Sequence, residues 1–137
     1  SAIVGLDMVA CCPATRMPNA EIMLNASRIA DANGSSISAS HNPLEACKDA
    51  DILYTDTWVS MGDETPVEKA VKIFQMYQIN DDLLALAKPD CIVMHCLPAH
   101  RGQEITAEVM DGPQSVVFDQ AENRLHAQKA VLYTLLR

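Results

Sequence analysis

The sequence predicts an open, doubly wound α/β fold: a mainly parallel sheet with helices on both faces. Three observations carry this expectation. Short apolar runs alternate with segments of helical period along the chain. Asn, Thr and Pro mark helix starts between them. The run CIVMH at 91–95 is apolar almost throughout, as a central parallel strand must be when helices cover both its faces. In such folds ligands bind beyond the carboxyl ends of strands, so the loops after Thr55 and His95 are the ones to read.

The elements follow in order. Residues 1–5, SAIVG, read as the last turn of a helix closed by glycine, with no strand before it. The domain, residues 1–137, is therefore expected to be N-terminally truncated, lacking its first strand and most of its first helix. Residues 6–12 form a buried strand ended by Pro13. Residues 19–33 form a helix with Ile22, Ala26, Ile29 and Ala30 on one face, stopped at Asn33-Gly34 because glycine accepts the left-handed conformation. A short strand at 36–41 precedes Asn42-Pro43, an N-cap and a first-turn proline for a helix to about Lys48. Residues 51–55 (DILYT) are the next strand. Thr65-Pro66-Val67-Glu68 reads as a capping box opening a helix to about Gln75. Asn80 caps a short helix through Ala87, strand 91–95 follows, and Thr106 caps a helix ended by Gly112-Pro113. Residues 115–118 are predicted as the last strand and 121–136 as the closing helix.

Composition narrows the functional classes. A chain of 137 residues can bury one core, and its 49% hydrophobic content suits a packed domain rather than a disordered one. No apolar run is long enough to span a membrane, and no signal segment opens the sequence, which favours a cytoplasmic protein. A formal net charge of −8, from 18 acidic and 10 basic residues, opposes nonspecific binding to nucleic acid or to anionic membranes. Cysteines 11, 12, 47, 91 and 96 are odd in number and lack metal-ligand spacing, so reduced thiols are expected.

Cys96 stands apart because it lies immediately past a strand end, before Leu97-Pro98 and close to His95, His100 and Arg101. Three readings remain open on the residues alone: a substrate-facing thiol, a nucleophile with a histidine base, or a zinc site built on His95, Cys96 and His100. A buried Cys beside a hydrogen-bonding His in a tight loop is the structural alternative. The loop 56–64, DTWVSMGDE, offers Asp56 to an amine, and Ser60 with backbone amides near Met61 to a carboxylate, which are the needs of an amino-acid site. Its alternative is a capped surface loop with Trp58 packed as a lid. Arg124, near the start of the closing helix, can reach phosphate or a carbonyl, or pair with Glu122 or Asp119. His41 and His126 have no evident partners in the sequence.

Four stretches in order, DILYTDTWVSMGDE, YQIN, LLALAKPDCIVMHCLPAHRGQEIT and DGPQSVVFDQAENRLHAQKAVL, resemble those of ornithine carbamoyltransferases within the aspartate/ornithine carbamoyltransferase family. The resemblance covers most of the chain from Ala50 onward; VACCPAT and HNPLEACKDAD match more loosely. An aspartate-specific relative is expected to read HPLP where this chain has HCLP, and to lack the SMG loop.

The resemblance implies the second, ornithine-binding domain of an enzyme that carbamoylates the δ-amine of L-ornithine with carbamoyl phosphate, giving L-citrulline and phosphate in arginine metabolism. It implies that Asp56 and Ser60 hold the α-amino group and the Met61 backbone lies near the carboxylate. Cys96 lies beside the δ-amine, the Leu97 carbonyl holds the carbamoyl NH2, and Arg124 contacts carbamoyl phosphate. No metal or cofactor is implied, and a homotrimer is. The family's phosphate loop (Ser-x-Arg-Thr) and its carbonyl-polarising His-Pro segment belong to a first domain that these residues do not contain. The 137 residues alone are therefore expected to be inactive. The alternatives are a noncatalytic amino-acid-binding fragment, and a related carbamoyltransferase acting on putrescine or an acylated ornithine.

Overall fold

The computed structural model describes residues 1–59, 62 and 64–136. The chain divides into two compact units, Ser1–Ala46 and Cys47–Arg137.

In the first unit, a 3-10 turn at Ala2–Val4 ends at Gly5, whose φ of 73° is the left-handed stop expected there. β1 (Met8–Cys11) and β2 (Ile37–Ser40) pair in parallel, joined through α1 (Ala20–Ala32). α1 starts where it does because Asn19 Oδ1 accepts the otherwise orphaned N–H groups of Glu21 and Ile22, at 2.9 and 3.2 Å. Such a cap contributes about 1 kcal/mol. Past the helix Gly34 takes φ 71°. Asp7 fixes the start of β2 by accepting both the amide and the hydroxyl of Ser36 at 2.8 Å, and these bonds hold its carboxyl below the usual range. α2 (Pro43–Ala46) is capped by Asn42, whose Oδ1 accepts from Leu44 N–H at 3.1 Å. His41 does have a partner: its Nδ1 lies 2.8 Å from the Cys12 carbonyl oxygen.

The second unit holds most of the core and all the described candidate site residues. β3 (Ile52–Thr55) and β4 (Ile92–His95) run parallel, with Thr55 opposite His95 at their carboxyl ends. α3 (Val67–Phe74) and α4 (Asp81–Leu84) lie between them in the chain. Asn80 Oδ1 caps α4 through Leu83 N–H at 3.0 Å, as predicted. α3 begins one residue later than the capping box implied, with Pro66 rather than Thr65 at the N-cap. Its first carbonyl acceptor is Pro66, bonded by Lys69 and Ala70. Leu53, Ile79, Leu83, Cys91, Val93 and Ile105 form the heart of the core. Full burial of each large aliphatic side chain contributes about 1.5–3 kcal/mol.

Beyond β4, α5 (Ala107–Met110) is capped by Thr106, and α6 (Val117–Leu135) closes the chain. The α/β class with parallel pairing is as expected; the last strand is not. Residues 115–118 contribute a single parallel bridge, Ser115 to Val93. Val93 N–H donates to Gln114 (2.8 Å) and Val93 C=O accepts from Val116 (2.9 Å), which completes the free edge of β4. The chain then turns into helix at Val117, four residues before the predicted start. A short apolar run has no period that separates strand from buried helix, and here one bridge satisfies the edge before Val117 is buried as the first residue of α6.

Candidate functional site

Because β3 and β4 are adjacent, parallel and in register at Thr55 and His95, the next residue of each chain segment leaves the same edge. Those residues are Asp56 and Cys96. The Cys96 thiol donates to Asp56 Oδ1 at 2.9 Å, joining positions forty apart in sequence. The same oxygen accepts from Thr57 N–H at 2.7 Å, which aims the carboxylate at the thiol. Burial, then the hydrogen bond to Asp56 and its negative charge, push the Cys96 thiol above its ordinary pKa, partly opposed by a bond to Tyr54. Cys96 is a neutral donor at neutral pH, not a thiolate.

The histidines do not supply a base. His95 is fully buried. Its Nδ1 accepts from Leu97 N–H at 2.9 Å, which leaves Nε2 as the N–H facing Glu104 Oε1 at 3.1 Å. His100 Nδ1 lies 3.2 Å from Thr57 Oγ1. With both ring nitrogens of His95 committed elsewhere, the nucleophile reading loses its nearest partner. Among the described residues no cluster of three or more His, Cys, Asp or Glu side chains is arranged to hold a metal ion.

Leu97 is the strained member of the loop. Its φ of 57° is left-handed, which costs a non-glycine residue about 1–2 kcal/mol. The peptide bond that follows, to Pro98, is cis. The strained backbone is held by the Leu97 N–H bond to His95.

Two residues that the sequence did not single out complete the arrangement. Gln120, in the first turn of α6, accepts from His95 N–H at 3.0 Å and donates to the Tyr54 hydroxyl at 3.2 Å. It latches the helix to the ends of both strands. Tyr54 is hydrogen-bonded in turn to Cys96, and burial raises its pKa. Arg124 stands one turn beyond Gln120 on the same helical face, exposed. Glu122, a candidate partner for it, instead faces His126 Nε2 at 3.5 Å, so His126 also has a neighbour. Trp58 stacks on Phe74 of α3, centroids 5.8 Å apart, which anchors the loop after β3. Ser60 and Met61 lie outside the described residues. Two cavities of about 330 and 390 Å³ are lined by other residues, along α4 and along α6.

The edge offers a carboxylate, a neutral thiol and a strained loop carbonyl within one short arc, a set suited to an amine. The thiol's state can be tested. Alkylation of Cys96 by iodoacetamide, followed by mass spectrometry of its peptide, should have a rate midpoint above ordinary thiol pH. Asp56→Asn removes the charge that opposes thiolate formation, so the midpoint should fall. An unchanged or higher midpoint would mean that Asp56 does not govern the thiol.

Known proteins share this arrangement of sequence and fold. The family described as "Aspartate/ornithine carbamoyltransferase, Asp/Orn binding domain" matches residues 1–135. The ornithine carbamoyltransferase of Methanosphaera stadtmanae is 56% identical over 137 residues, all of this chain but 45% of that protein. The structure of ornithine carbamoyltransferase from Pyrococcus furiosus superposes with a TM-score of 0.90 at 51% identity, covering 96% of this chain and 42% of that one. An N-acetyl-L-ornithine transcarbamylase structure is more distant in sequence, at 30% identity with a TM-score of 0.84, covering 98% of this chain and 42% of that one. The chain thus spans less than half the length of the relatives it matches. On a match that runs through both units and the Asp56–Cys96 edge, the chain belongs to the aspartate/ornithine carbamoyltransferase family, Asp/Orn binding domain.

Proposed function

We propose that this chain, residues 1–137 as one domain, is the ornithine-binding part of an ornithine carbamoyltransferase. The observation that carries the reading is the Cys96–Asp56 hydrogen bond at the shared edge of β3 and β4. It puts a carboxylate that can hold an α-ammonium beside a neutral thiol that can orient a second amine. In the reaction the δ-nitrogen of L-ornithine attacks the carbamoyl carbon and forms the new C–N bond. The C–O bond to phosphate breaks, phosphate leaves with the bonding pair, and the proton given up by the nitrogen ends on the phosphate product. Asp56 and Ser60 hold the α-amino group, with the Met61 backbone near the carboxylate. Cys96 orients the δ-amine, the Leu97 carbonyl receives the carbamoyl NH2, and Arg124 contacts carbamoyl phosphate. Catalysis of this kind rests on proximity and on stabilising charge that develops at the carbonyl and the leaving group.

The remaining machinery, a carbamoyl-phosphate-binding domain, is supplied by the rest of the full-length protein, which we read as a cytoplasmic homotrimer. Among the described residues no helix is long and apolar enough to cross a membrane. The test is phosphate release by the purified full-length protein from carbamoyl phosphate, with L-ornithine, N-acetyl-L-ornithine, putrescine and L-aspartate offered in parallel and each carbamoylated product identified by mass spectrometry. L-ornithine should be used far better than the others: N-acetylornithine lacks the free α-ammonium that Asp56 holds, putrescine lacks the α-carboxylate, and aspartate has no δ-amine to set beside Cys96. Preference for N-acetylornithine, putrescine or aspartate would overturn the assignment.

A further inference from the structure

The most deeply buried charged residue near the site is one that the proposed reaction does not use. Glu104 is fully buried, as is His95. Its Oε1 accepts from two directions, from His95 Nε2–H at 3.1 Å and from the backbone N–H of His100 at 2.5 Å. Its Oε2 is buried with no hydrogen-bond partner among the described residues. A carboxylate so placed is costly to bury, and one oxygen carries all its direct bonds.

Its backbone is fixed independently. Ile79 N–H donates to Glu104 C=O at 2.9 Å, Thr106 N–H donates to Ile79 C=O at 3.0 Å, and Gln78 Nε2 donates to Gln103 C=O at 2.6 Å. Ile105, the next residue, is fully buried in the core. The side chain therefore reaches from a buried, hydrogen-bonded segment to both ends of the loop 96–100. At one end it orients the His95 ring, whose other nitrogen holds Leu97 N–H in its left-handed conformation. At the other it holds His100 N–H, and the His100 ring lies against Thr57 in the loop after β3.

We propose that Glu104 is a positioning residue for the carbamoyl transfer. Acting through His95 and His100, it sets where the Cys96 thiol and the Leu97 carbonyl stand against the two substrates. The inference rests on the carbamoyltransferase reading above. The chemistry required of residue 104 is one acceptor oxygen at Oε1; since Oε2 accepts nothing, an amide NH2 there loses no bond. Glutamine should therefore do what alanine cannot.

The experiment compares wild type, Glu104→Ala and Glu104→Gln in the full-length protein, with citrulline kinetics and thermal unfolding. Loss of the acceptor should displace the loop by a fraction of an ångström to an ångström, lowering kcat about 30–100-fold. The KM for ornithine should stay within about threefold, because Asp56, which holds the α-ammonium, is fixed by the Thr57 backbone N–H, whereas His100 meets only the Thr57 hydroxyl. Glu104→Gln should keep kcat within about fivefold of wild type. Four outcomes would overturn the proposal. One is a folded Glu104→Ala protein with near-normal kcat, and a second is a loss in KM instead of kcat. The third is a folded Glu104→Gln protein as slow as the alanine variant, which would assign the effect to charge. The fourth is Glu104→Gln failing to fold, which would make the residue a matter of core stability alone. If wild type itself makes no citrulline, the functional reading fails, and that result is distinct from all four.

Discussion

Replacing Asp56 by alanine in the full-length protein is expected to lower kcat/KM for L-ornithine by about 30–1,000-fold, corresponding to about 2–4 kcal/mol for an ammonium that loses its charged acceptor. The loss is expected to fall mainly on ornithine and to leave the KM for carbamoyl phosphate within about threefold, since the role proposed for Asp56 is with the amine rather than the phosphate. Two contributions add. In the proposed site Asp56 accepts from the ammonium, and in the structure it also points the Cys96 thiol, through the 2.9 Å bond between them. Asp56→Asn separates them: its side-chain oxygen still accepts from Thr57 N–H and from the thiol, so only the charge is removed. The asparagine variant should therefore fall between wild type and alanine. Steady-state kinetics with each substrate varied in turn checks this. An alanine variant within about threefold of wild type for ornithine would remove Asp56 from the site.

The part of this site that was legible in the sequence was the part written locally. A strand end followed by a residue able to bind an amine reads directly, so Asp56 and Cys96 are legible as candidates from the positions of Thr55 and His95. The Asn42, Asn80 and Thr106 caps were equally visible, because a cap bonds an amide only two or three residues away. That Asp56 and Cys96 touch depends on β3 pairing with β4 in one register, which alternating elements suggest and only the paired strands display.

Tyr54 and Gln120 were missed for the same physical reason: their bond spans 66 positions, and neither residue type advertises it. Glu104 was missed because a carboxylate in a polar loop ordinarily lies in water. The available signal was slight. It is the only acidic residue between Cys96 and Thr106, in a segment with His95, His100 and Arg101. Arg101 turned out to face Asp111 instead, in a two-bond pair at 2.7 and 3.1 Å. Residues 115–118 failed as a strand because three apolar residues in a row fit a strand and the start of a buried helix equally well.

Ile105 is where the core and the site meet, and its truncation should show how far each depends on the other. Its side chain is fully buried, it bridges Ile79 in parallel, and its carbonyl accepts from Gly102 N–H at 2.8 Å. Ile105→Ala deletes three buried carbons from a packed interior and should cost about 2–5 kcal/mol, the lost transfer energy plus the cavity left behind. Ile105→Val removes one methylene and should cost about 0.5–1.5 kcal/mol. Urea unfolding of both variants, with unchanged dependence on denaturant, measures the two losses.

Activity should not follow stability in proportion. Glu104 is held by bonds from the Ile79 backbone and the Gln78 side chain to the backbone of its own segment, and neither substitution removes them. The valine variant should therefore keep wild-type kcat at a temperature where it is fully folded, while its unfolding midpoint has already fallen. In the alanine variant the neighbouring side chains can relax into the cavity, and kcat should drop only if that relaxation moves Glu104. A kcat that declines in step with stability across Ile, Val and Ala would mean that the packing around residue 105, rather than the hydrogen bonds at Glu104, sets the position of Cys96. An alanine variant destabilised by less than about 1 kcal/mol would place Ile105 outside the cooperative core altogether.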